Sequence, residues 1–390
     1  MVDFENTRVA FQYKSLSDLN RTFFLFKMLS FPALVKIANS LLKSALAINI
    51  PINWIVKPTV YRQFVGGTTI DECNPTVKAL EKFNIKAILD YSVEGGGDDQ
   101  QIKFTLEETL RSIENAAKNP NIPFAVFKPT AFGDINLLEK ASIGATLTTD
   151  DRSSLEKYRL MVDTLCKSAH DFLVPILIDA EDSWYQPFID SVVDEMMAKY
   201  NKEKVIVFNT FQMYRHDRLV VLQNTLEKAG KCGYYAGVKF VRGAYMEKER
   251  LRARKMNYPS PIYDDKEGTD KAFDYALSLS MEHIDRLMIF CGTHNENSCH
   301  HLAKLMADRG LSKNDPRIWF SQLYGMSDHI SFNLGAEGFN VVKYVPYGPV
   351  KSVMPYLFRR AEENTSIAGQ TSRELRLLTI EKKRRQAAKS

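Results

Sequence analysis

Eight short apolar runs, each followed by a helical pattern, constrain the fold more than any other feature of this 390-residue chain. The runs are Ile85–Val93, Phe124–Lys128, Phe172–Asp179, Lys204–Phe211, Tyr235–Val241, Leu287–Thr293, Arg317–Leu323 and Phe339–Val345. Most are continuously apolar rather than alternating, as expected of parallel strands that are covered on both faces. Because strands alternate with helices in eight units, the sequence predicts an α/β fold, a (β/α)8 TIM barrel.

An open, doubly wound sheet is the rival architecture for the same alternation. Such sheets bind dinucleotides through a G-x-G-x-x-G turn that follows a strand. The Gly95-Gly96-Gly97 cluster follows the first run but fails the spacing at Gln100, and no other run is followed by the motif. Any dinucleotide that this chain binds is therefore expected to bind in another way.

Pattern and charge divide the sequence into three segments. Residues 1–75 predict an N-terminal helical arm, 76–372 a catalytic barrel and 373–390 a basic C-terminal tail. The tail carries the whole formal net charge of +5, so the rest of the chain is neutral. A neutral body argues against nucleic acid as a partner, since nucleic-acid binders usually present a basic face. The tail is suited to contact with an anionic membrane, but a solvated, disordered end is expected.

Targeting and cysteine patterns bear on the compartment. The N-terminus carries Asp3 and Glu5 and shows neither a signal peptide nor a transit peptide. Five cysteines without a C-x-x-C pair indicate a reducing compartment. Lysines and prolines interrupt the apolar stretch from Phe23 to Ile55, which predicts two or three amphipathic helices rather than a membrane span. We expect a bacterial cytoplasmic protein, with peripheral contact at the inner membrane left open, or a mitochondrial one if the source is eukaryotic.

Polar residues end all eight apolar runs. In a (β/α)8 barrel the active site lies at the C-terminal ends of the strands. These ends carry Asp90, Glu94, Lys128, Asp179, Glu181, Gln212, Tyr214, Lys239, Arg242, Tyr245, His294, Asn295, Gln322, Tyr324, Tyr344 and Tyr347. One polar strand end means little, because a loop begins there. Eight such ends that converge on one mouth predict a site.

Two adjacent arginines on a predicted helix form the sharpest local feature. Tyr356 precedes Arg359 and Arg360 by three and four positions, and Glu363 follows them by four and three, so all four can share one face. Paired guanidiniums beside a tyrosine are suited to a carboxylate ligand. A surface helix of ion pairs is the alternative. The position directly after the eighth run favours a site at the mouth.

Two charged strand ends admit more than one role. Lys128 ends an apolar run, and it could form a Schiff base, anchor a carboxylate, or be the first solvent-facing residue. Asp179 follows an apolar run, so it is expected to be half-buried and paired, either for structure or for catalysis. His294, Cys299 and the histidines at 300 and 301 match no standard zinc spacing, so we expect no metal.

Several motifs, in order along the chain, resemble those of the proline dehydrogenase family. They are Phe127-Lys128-Pro129-Thr130, Ile178-Asp179-Ala180-Glu181, GVKFVRGAY at 237–245, Thr293-His294-Asn295, QLYGM at 322–326, YVPYG at 344–348 and YLFRRAEEN at 356–364. The resemblance covers residues from about 60 to 370. It implies a distorted (β/α)8 barrel with FAD lying across its mouth.

The resemblance also implies roles for individual residues. The substrate-binding residues would be Lys128, Arg359 and Arg360 at the proline carboxylate, and Leu323, Tyr344 and Tyr356 around the ring. The catalytic residues would be Asp179 beside the substrate amine and Lys239 near the reactive flavin nitrogen. The FAD contacts would be Ala180, Gln212, Val241, Arg242, Gly243, Ala244, Thr293, His294, Asn295 and Glu363. Glu94 would pair with Arg359 as a gate when substrate is absent.

Two positions depart from what is common in the family. Lys239 stands where many bacterial relatives have arginine, and Met246 where some have tryptophan. The implied activity is the FAD-dependent oxidation of L-proline to Δ1-pyrroline-5-carboxylate, with electrons passed to a membrane quinone, as the first step of proline catabolism. Three alternatives stay open: a trans-4-hydroxyproline dehydrogenase, for which Tyr344 leaves little room, a Schiff-base lyase that uses Lys128, and a barrel that binds without catalysis.

Overall fold

Eight parallel strands form a barrel in the computed structural model, which describes residues 2–48, 50–92, 97–366 and 370–388. The strands are β1 (Ile85–Tyr91), β2 (Ala125–Phe127), β3 (Ile176–Ile178), β4 (Val207–Gln212), β5 (Ala236–Val241), β6 (Leu287–Gly292), β7 (Ile318–Leu323) and β8 (Val341–Tyr347). Each overlaps one of the predicted apolar runs, and nearly all strand residues are buried. The predicted (β/α)8 barrel is confirmed.

The barrel is nearly closed, with one seam. The strands pair in the order β1-β8-β7-β6-β5-β4-β3-β2, so β1 and β2 are the two edges of the sheet. Individual groups bridge this seam. The Ala87 N–H donates to the Asn121 carbonyl at 2.9 Å, and the Lys86 ammonium donates to the Asn121 side chain at 2.6 Å. At the mouth, the Lys128 ammonium donates to Asp90 at 3.0 Å across the same seam.

Aromatic side chains fill the interior of the barrel. The ring of Phe124 meets those of Phe208, Phe290 and Trp319 edge to face, with centroids 5.8, 5.3 and 5.1 Å apart. This is a favourable geometry for aromatic pairs, and it makes the interior a packed core rather than a channel. Polar groups are consequently confined to the ends of the strands.

Helices surround the strands and continue at both ends of the chain. Before the barrel and through its first half they are α1 (Thr7–Ala10), α2 (Leu16–Leu29), α3 (Pro32–Ala47), α4 (Asn53–Val56), α5 (Arg62–Phe64), α6 (Ile70–Glu81), α7 (Asp99–Lys118), α8 (Ile135–Ser142), α9 (Thr149–Asp171) and α10 (Gln186–Tyr200). In the second half of the barrel and after it, the helices are α11 (Arg218–Cys232), α12 (Met246–Met256), α13 (Lys266–Glu282), α14 (Glu296–Asp308), α15 (Asp328–Ala336), α16 (Val350–Ser366) and α17 (Gln370–Ala387). A π-helical turn at Lys57–Tyr61 and 3-10 turns at Pro129–Phe132 and Ile284–Arg286 complete the set.

Local sequence determines several of the helix ends. Thr148 and Asp151 form a capping box at the start of α9, in which each side chain accepts a hydrogen bond from the other's backbone N–H. Gly233 ends α11 in a left-handed conformation with a φ of +66°, as glycine commonly does after a helix.

The basic C-terminal segment is a helix that packs on the N-terminal arm. Leu377 and Leu378 of α17 are fully buried in the cluster that includes residues of α2. Glu381 is buried and accepts hydrogen bonds from Thr7 at 3.1 Å and from Arg385 at 2.6 Å. The prediction of a solvated, disordered end was therefore wrong for residues 373–388. Apolar residues between the charges give the segment a face that can be buried.

The N-terminal arm contains the helices that the sequence predicted between Phe23 and Ile55. Among the described residues, no single helix has the length and apolar composition needed to cross a membrane. Helices α2 and α3 satisfy that test only as a pair, and the chain bends by 93° between them.

Candidate active site

Asp179 lies at the centre of the barrel mouth, directly after β3. Its carboxylate accepts a hydrogen bond from the Lys239 ammonium at 2.5 Å and from the Tyr344 hydroxyl at 2.7 Å. Its own N–H donates to the carbonyl of Phe127 at 3.0 Å, which fixes the backbone. Three strands, β3, β5 and β8, thus direct one charged or polar side chain each to a single point.

The charge state of this group follows from its contacts. Burial acts to raise the pKa of Asp179, but Lys239 and Lys128 more than offset it and hold that pKa below the usual value. Burial, reinforced by the charge of Asp179, raises the pKa of Tyr344 well above its ordinary value. At neutral pH the site therefore contains a carboxylate that accepts and a phenol that donates.

Lys128 extends the pair into a row of alternating charges. Its ammonium lies 3.0 and 3.2 Å from the two Asp90 oxygens and 3.8 Å from an oxygen of Asp179. The row Asp90–Lys128–Asp179–Lys239 is therefore continuous and carries no net formal charge. Only 8% of the Lys128 side chain is exposed, so its interpretation as a solvent-facing residue was wrong.

The two arginines of α16 lie against tyrosine rings. The Arg359 guanidinium carbon is 5.6 Å from the centroid of the Tyr245 ring, and that of Arg360 is 5.1 Å from the centroid of Tyr356. Arg360 and Tyr356 are buried, whereas Arg359 is half-buried. A surface helix of ion pairs does not bury such residues, so that alternative is wrong here. Cation–π contacts of this kind hold a guanidinium in place while its N–H groups can still bind an anion.

Leu323 joins the two groups of aromatic residues. It is half-buried and packs both on the barrel-interior cluster that contains Tyr344 and on the cluster that contains Tyr356. It also stands opposite Tyr344 in the register of β7 and β8. The three residues predicted to surround a substrate ring are thus linked by packing at the mouth.

Arg242 is the best-anchored residue among the predicted cofactor contacts. It follows β5 and donates to Asp270 at 2.7 Å, to Thr293 at 2.6 Å and to Ser298 at 2.9 Å. Its guanidinium also lies 4.4 Å from the centroid of the Phe273 ring. The side chain is therefore fixed in orientation, and one-fifth of it remains exposed for a ligand.

His294 is a half-buried, neutral imidazole beside Arg242. Its Nδ1 lies 2.8 Å from the Ser327 hydroxyl. Burial, together with the charges of Lys343 and Arg360, holds the pKa of His294 well below its ordinary value. At neutral pH it consequently has one nitrogen that donates and one that accepts, and it can contact a polar ligand without adding a charge.

The backbone after β5 is half-exposed at the position where the resemblance places a flavin dinucleotide. The six consecutive residues 241–246 are half-exposed, although the strand before them is buried. Within them Gly243 has a φ of +127°, and a Cβ at that position would lie 2.5 Å from the ring of Tyr214. Only glycine allows this close approach of backbone to ring. Val241, Gly243 and Ala244 lie in this half-exposed stretch, next to the anchored guanidinium of Arg242.

Three other residues predicted to contact the cofactor have contacts or exposure that the structure describes. Gln212 is buried and donates to the Glu181 carbonyl at 2.5 Å, and Ala180 is half-exposed next to Asp179. The Asn295 side-chain oxygen accepts from two N–H groups at the start of α14, so it serves as a helix cap. Glu94 and the side chain of Glu363 lie outside the described residues. The proposed gate and the Glu363 contact therefore stay predictions.

Several residues that shape this site were not predicted from the sequence. Asp270 and Ser298, which fix Arg242, are 28 and 56 residues away from it along the chain. Ser327, which contacts His294, is 33 residues away. All three lie on or beside helices, and no local motif marks them, so only the folded barrel brings them to the site.

Comparison with known proteins identifies the family of the chain. A family model described as proline dehydrogenase matches residues 73–373. The carbapenem antibiotics biosynthesis protein CarD of Pectobacterium carotovorum subsp. carotovorum is 34% identical over 322 residues, which are 83% of this chain and 83% of that protein. Proline dehydrogenase 1, mitochondrial, of Dictyostelium discoideum is 31% identical over 418 residues, covering 95% of this chain and 73% of the other.

A solved structure shows the same fold. Proline utilization A of Bdellovibrio bacteriovorus superimposes with a TM-score of 0.73 at 20% identity, over 92% of this chain. The chain corresponds to 38% of that larger protein. The family model spans most of the sequence, and the two relatives described above align with the chain along 83% and 73% of their own length. The chain therefore belongs to the proline dehydrogenase family.

Proposed function

We propose that this chain is an FAD-dependent proline dehydrogenase that oxidises L-proline to Δ1-pyrroline-5-carboxylate and passes the electrons to a quinone. One observation carries the proposal. The Asp179 carboxylate, whose side chain is only 15% exposed, is hydrogen-bonded to Lys239 at 2.5 Å and to Tyr344 at 2.7 Å, at a barrel mouth that also receives the arginine pair of α16.

The charges of the site match a zwitterionic amino acid. The guanidiniums of Arg359 and Arg360 are planar donors suited to a carboxylate, and Lys128 adds a third cation on the same side of the barrel. Asp179 offers an acceptor for the ring nitrogen. Tyr344, Tyr356 and Leu323 supply the apolar surface that a five-membered ring needs. Proline carries each of these features in one small molecule.

The protein's own contribution to the reaction is orientation and proton control. The ring carbon beside the nitrogen can lose a hydride only when the nitrogen has lost its proton. A carboxylate with a lowered pKa, such as Asp179, accepts a hydrogen bond from the amine and holds it in place without protonating it again. The arginine pair fixes the other end of the molecule, which reduces the entropic barrier to reaction.

FAD would be held by the half-exposed backbone at 241–246, by the side chains of Arg242 and Thr293, and by the neutral His294. When bound, FAD supplies the hydride acceptor for the ring carbon. By family resemblance Lys239 would lie near the flavin, where its ammonium contributes positive charge. Because Lys239 is bonded to Asp179, the residue that serves the cofactor and the residue that serves the amine are held as one unit.

The visible absorption spectrum tests the proposal directly. We expect purified protein to show flavin absorption bands. These bands should bleach when L-proline is added in the absence of oxygen, and they should bleach less with trans-4-hydroxyproline. The variant Arg360→Gln should keep the bands but require a higher proline concentration. A protein that cannot take up FAD would refute the flavoenzyme assignment. Trapping of substrate on Lys128 by borohydride would support the lyase instead, and bound FAD without turnover would support a binding protein.

We propose that the quinone is located in a lipid membrane, and the N-terminal segment carries exposed apolar residues that could contact such a membrane. Among the described residues, ten large apolar side chains between Phe24 and Ile55 are exposed, as many as in the rest of the described chain. On α3 the exposed residues Leu34, Ile37 and Leu41 recur at helical spacing, so they lie on one side. Trp54 is 74% exposed, and tryptophan favours the membrane interface.

The charges of the same segment are all positive. Residues 19–70 contain no aspartate or glutamate but six lysines and arginines. These are Arg21, Lys27, Lys36, Lys43, Lys57 and Arg62. An apolar surface accompanied only by cations is typical of proteins that bind anionic bilayers at the interface. We define the exposed apolar residues of 24–55 as the apolar N-terminal face and propose that it contacts the membrane.

A further inference from the structure

Two adjacent residues of α17 hold the loops on both sides of His294. Arg373 binds the start of α14, two positions after His294, and Glu374 binds the loop after β7 that contacts His294. The family model ends at residue 373, so most of α17 lies beyond the matched region. These contacts therefore come from a part of the chain that the family match hardly covers.

The contact through Glu374 passes through Ser327. The Ser327 N–H donates to the Glu374 carboxylate at 2.5 Å, and the Ser327 hydroxyl is 2.8 Å from His294 Nδ1. Ser327 has a φ of +49°, a conformation that non-glycine residues adopt only when other contacts hold them there. Glu374 is itself buried. Loss of its carboxylate would leave the Ser327 N–H without this acceptor and relax the backbone that aims the hydroxyl at His294.

The contact through Arg373 passes through Glu296. The guanidinium binds both oxygens of Glu296, at 2.7 and 2.9 Å, and His329 Nε2 lies 2.9 Å from the same carboxylate. Burial acts to raise the pKa of Glu296, but the hydrogen bonds from His329 and Arg373 lower it to about 2. Glu296 is the first residue of α14, so a fixed Glu296 also fixes the short connection to His294.

A buried ionic cluster supports this arrangement from behind. Asp328 is bound by the Lys343 ammonium at 3.0 Å, by the Tyr13 hydroxyl at 2.6 Å and, more loosely, by Lys14 at 3.5 Å. Asp328 is adjacent to Ser327, so residues of the N-terminal arm contribute to the same site. The described ends of the chain thus meet at one loop behind His294.

We infer that Glu374 and Arg373 are positioning residues for His294, acting through Ser327 and Glu296. The inference rests on the proposed function only in so far as His294 contacts FAD. The orientation of the imidazole is a property of this chain alone, and it can be measured separately.

Glu374→Ala, Glu374→Gln and Leu378→Ala test the inference in the holoenzyme. Gln retains an acceptor oxygen for Ser327, and Leu378→Ala loosens the packing of α17 without touching the loop. The first readout is the imidazole nitrogen resonances in histidine-labelled protein, with those of His294 assigned by His294→Gln. The second is the dissociation constant of FAD, and the third is the separation of kcat from KM for proline.

We expect Glu374→Ala to shift the His294 resonances, to weaken FAD binding roughly tenfold and to leave KM nearly unchanged. Glu374→Gln should restore the His294 resonances and bring the dissociation constant of FAD to within about twofold of the wild-type value. Leu378→Ala should lower stability without changing the resonances or FAD binding. Unchanged resonances and FAD affinity in Glu374→Ala would overturn the inference, as would the same shifts in Leu378→Ala. If Glu374→Ala does not fold, Ser327→Ala replaces it with the same expected results. A wild-type protein without FAD would refute the proposed function, while the resonances would still decide the positioning.

Discussion

Lys239 and Asp179 form an ion pair of 2.5 Å across the barrel mouth, between the ends of β5 and β3. Both side chains are largely removed from water, with 6% and 15% exposed. A buried pair is sensitive to the loss of either partner, because the remaining charge keeps its desolvation penalty and loses its attraction. The stability of the site should therefore fall when either Lys239 or Asp179 loses its charge.

Removal of the Asp179 charge should destabilise the protein as well as stop turnover. Asp179→Asn leaves Lys239 buried without its carboxylate, and we expect the free energy of unfolding to fall by about 3 kcal/mol. Tyr344→Phe removes only one hydrogen bond to the same carboxylate and should lower it by about 1 kcal/mol. Urea unfolding of both variants measures the difference. Equal losses would show that the charge pair contributes no more than the phenol.

The neutral state of His294 predicts a loss of stability in mild acid. A histidine in the unfolded chain titrates near pH 6.5, whereas the pKa of His294 in the fold lies well below that value. Below about pH 6.5 the unfolded state therefore binds a proton that the folded state does not. Stability should fall with pH by up to about 1.4 kcal/mol per unit. In unfolding measured between pH 7 and 5, His294→Gln should flatten this slope, and the exposed His283→Gln should not.

The bulk of Tyr344 should determine the preference for proline over its hydroxylated form. A smaller side chain opens space beside the ring, so Tyr344→Ser should raise the ratio of kcat/KM for trans-4-hydroxyproline to that for proline by at least about tenfold. Tyr344→Phe keeps the ring and should keep the preference for proline. A ratio that is unchanged in Tyr344→Ser would place specificity elsewhere in the site.

Gly243 should not tolerate a side chain. Its φ of +127° and a Cβ position 2.5 Å from Tyr214 both oppose alanine, so Gly243→Ala should cost about 3 kcal/mol of stability and weaken FAD binding. Gly144→Ala is the matched control, because Gly144 also has a positive φ, +68°, but open space around its Cβ. The control should lose about 1 kcal/mol, and its FAD affinity should be that of the wild type.

The apolar N-terminal face should be required for binding to anionic vesicles. Leu41 on α3 and Leu160 on α9 are similarly exposed, at 66% and 64%. We expect Leu41→Glu to reduce flotation with vesicles of phosphatidylserine and phosphatidylcholine at least about tenfold, and Leu160→Glu to leave it unchanged. Equal effects of the two substitutions, or no flotation of the wild type, would rule out this face as the contact.

The sequence predicted the strands well where apolar runs are continuous, and less well where a helix ends next to a strand. The run Phe172–Asp179 contributes only three residues to β3. Phe172 instead caps α9, and Leu173 follows in a left-handed conformation with a φ of +58°. Phe172 and Leu173 favour a strand by residue type, but here they form the end of helix α9 instead.

The candidate site could be predicted as a set of residues but not as a network. Asp179, Lys239 and Tyr344 were identified from strand ends and from the resemblance, and the structure brings them within hydrogen-bonding distance. The salt bridge of Lys128 to Asp90, and the contacts of Ser327 and Glu374, join residues far apart in sequence. Such pairings depend on the closure of the barrel and on the docking of α17, which no local pattern encodes.

The Lys128–Asp90 contact gives one ammonium two roles, since it joins the two edge strands of the barrel and also belongs to the row of charges that contains Asp179. It lies at the seam between β1 and β2, where the described backbone ladder is interrupted. Replacement of Lys128 by a neutral residue would therefore weaken the contact between β1 and β2 at the same time as it removed a charge from the proposed site. A loss of turnover in such a variant can be assigned to the missing charge only if amide hydrogen exchange along β1 and β2 shows that the barrel is still closed at these strands.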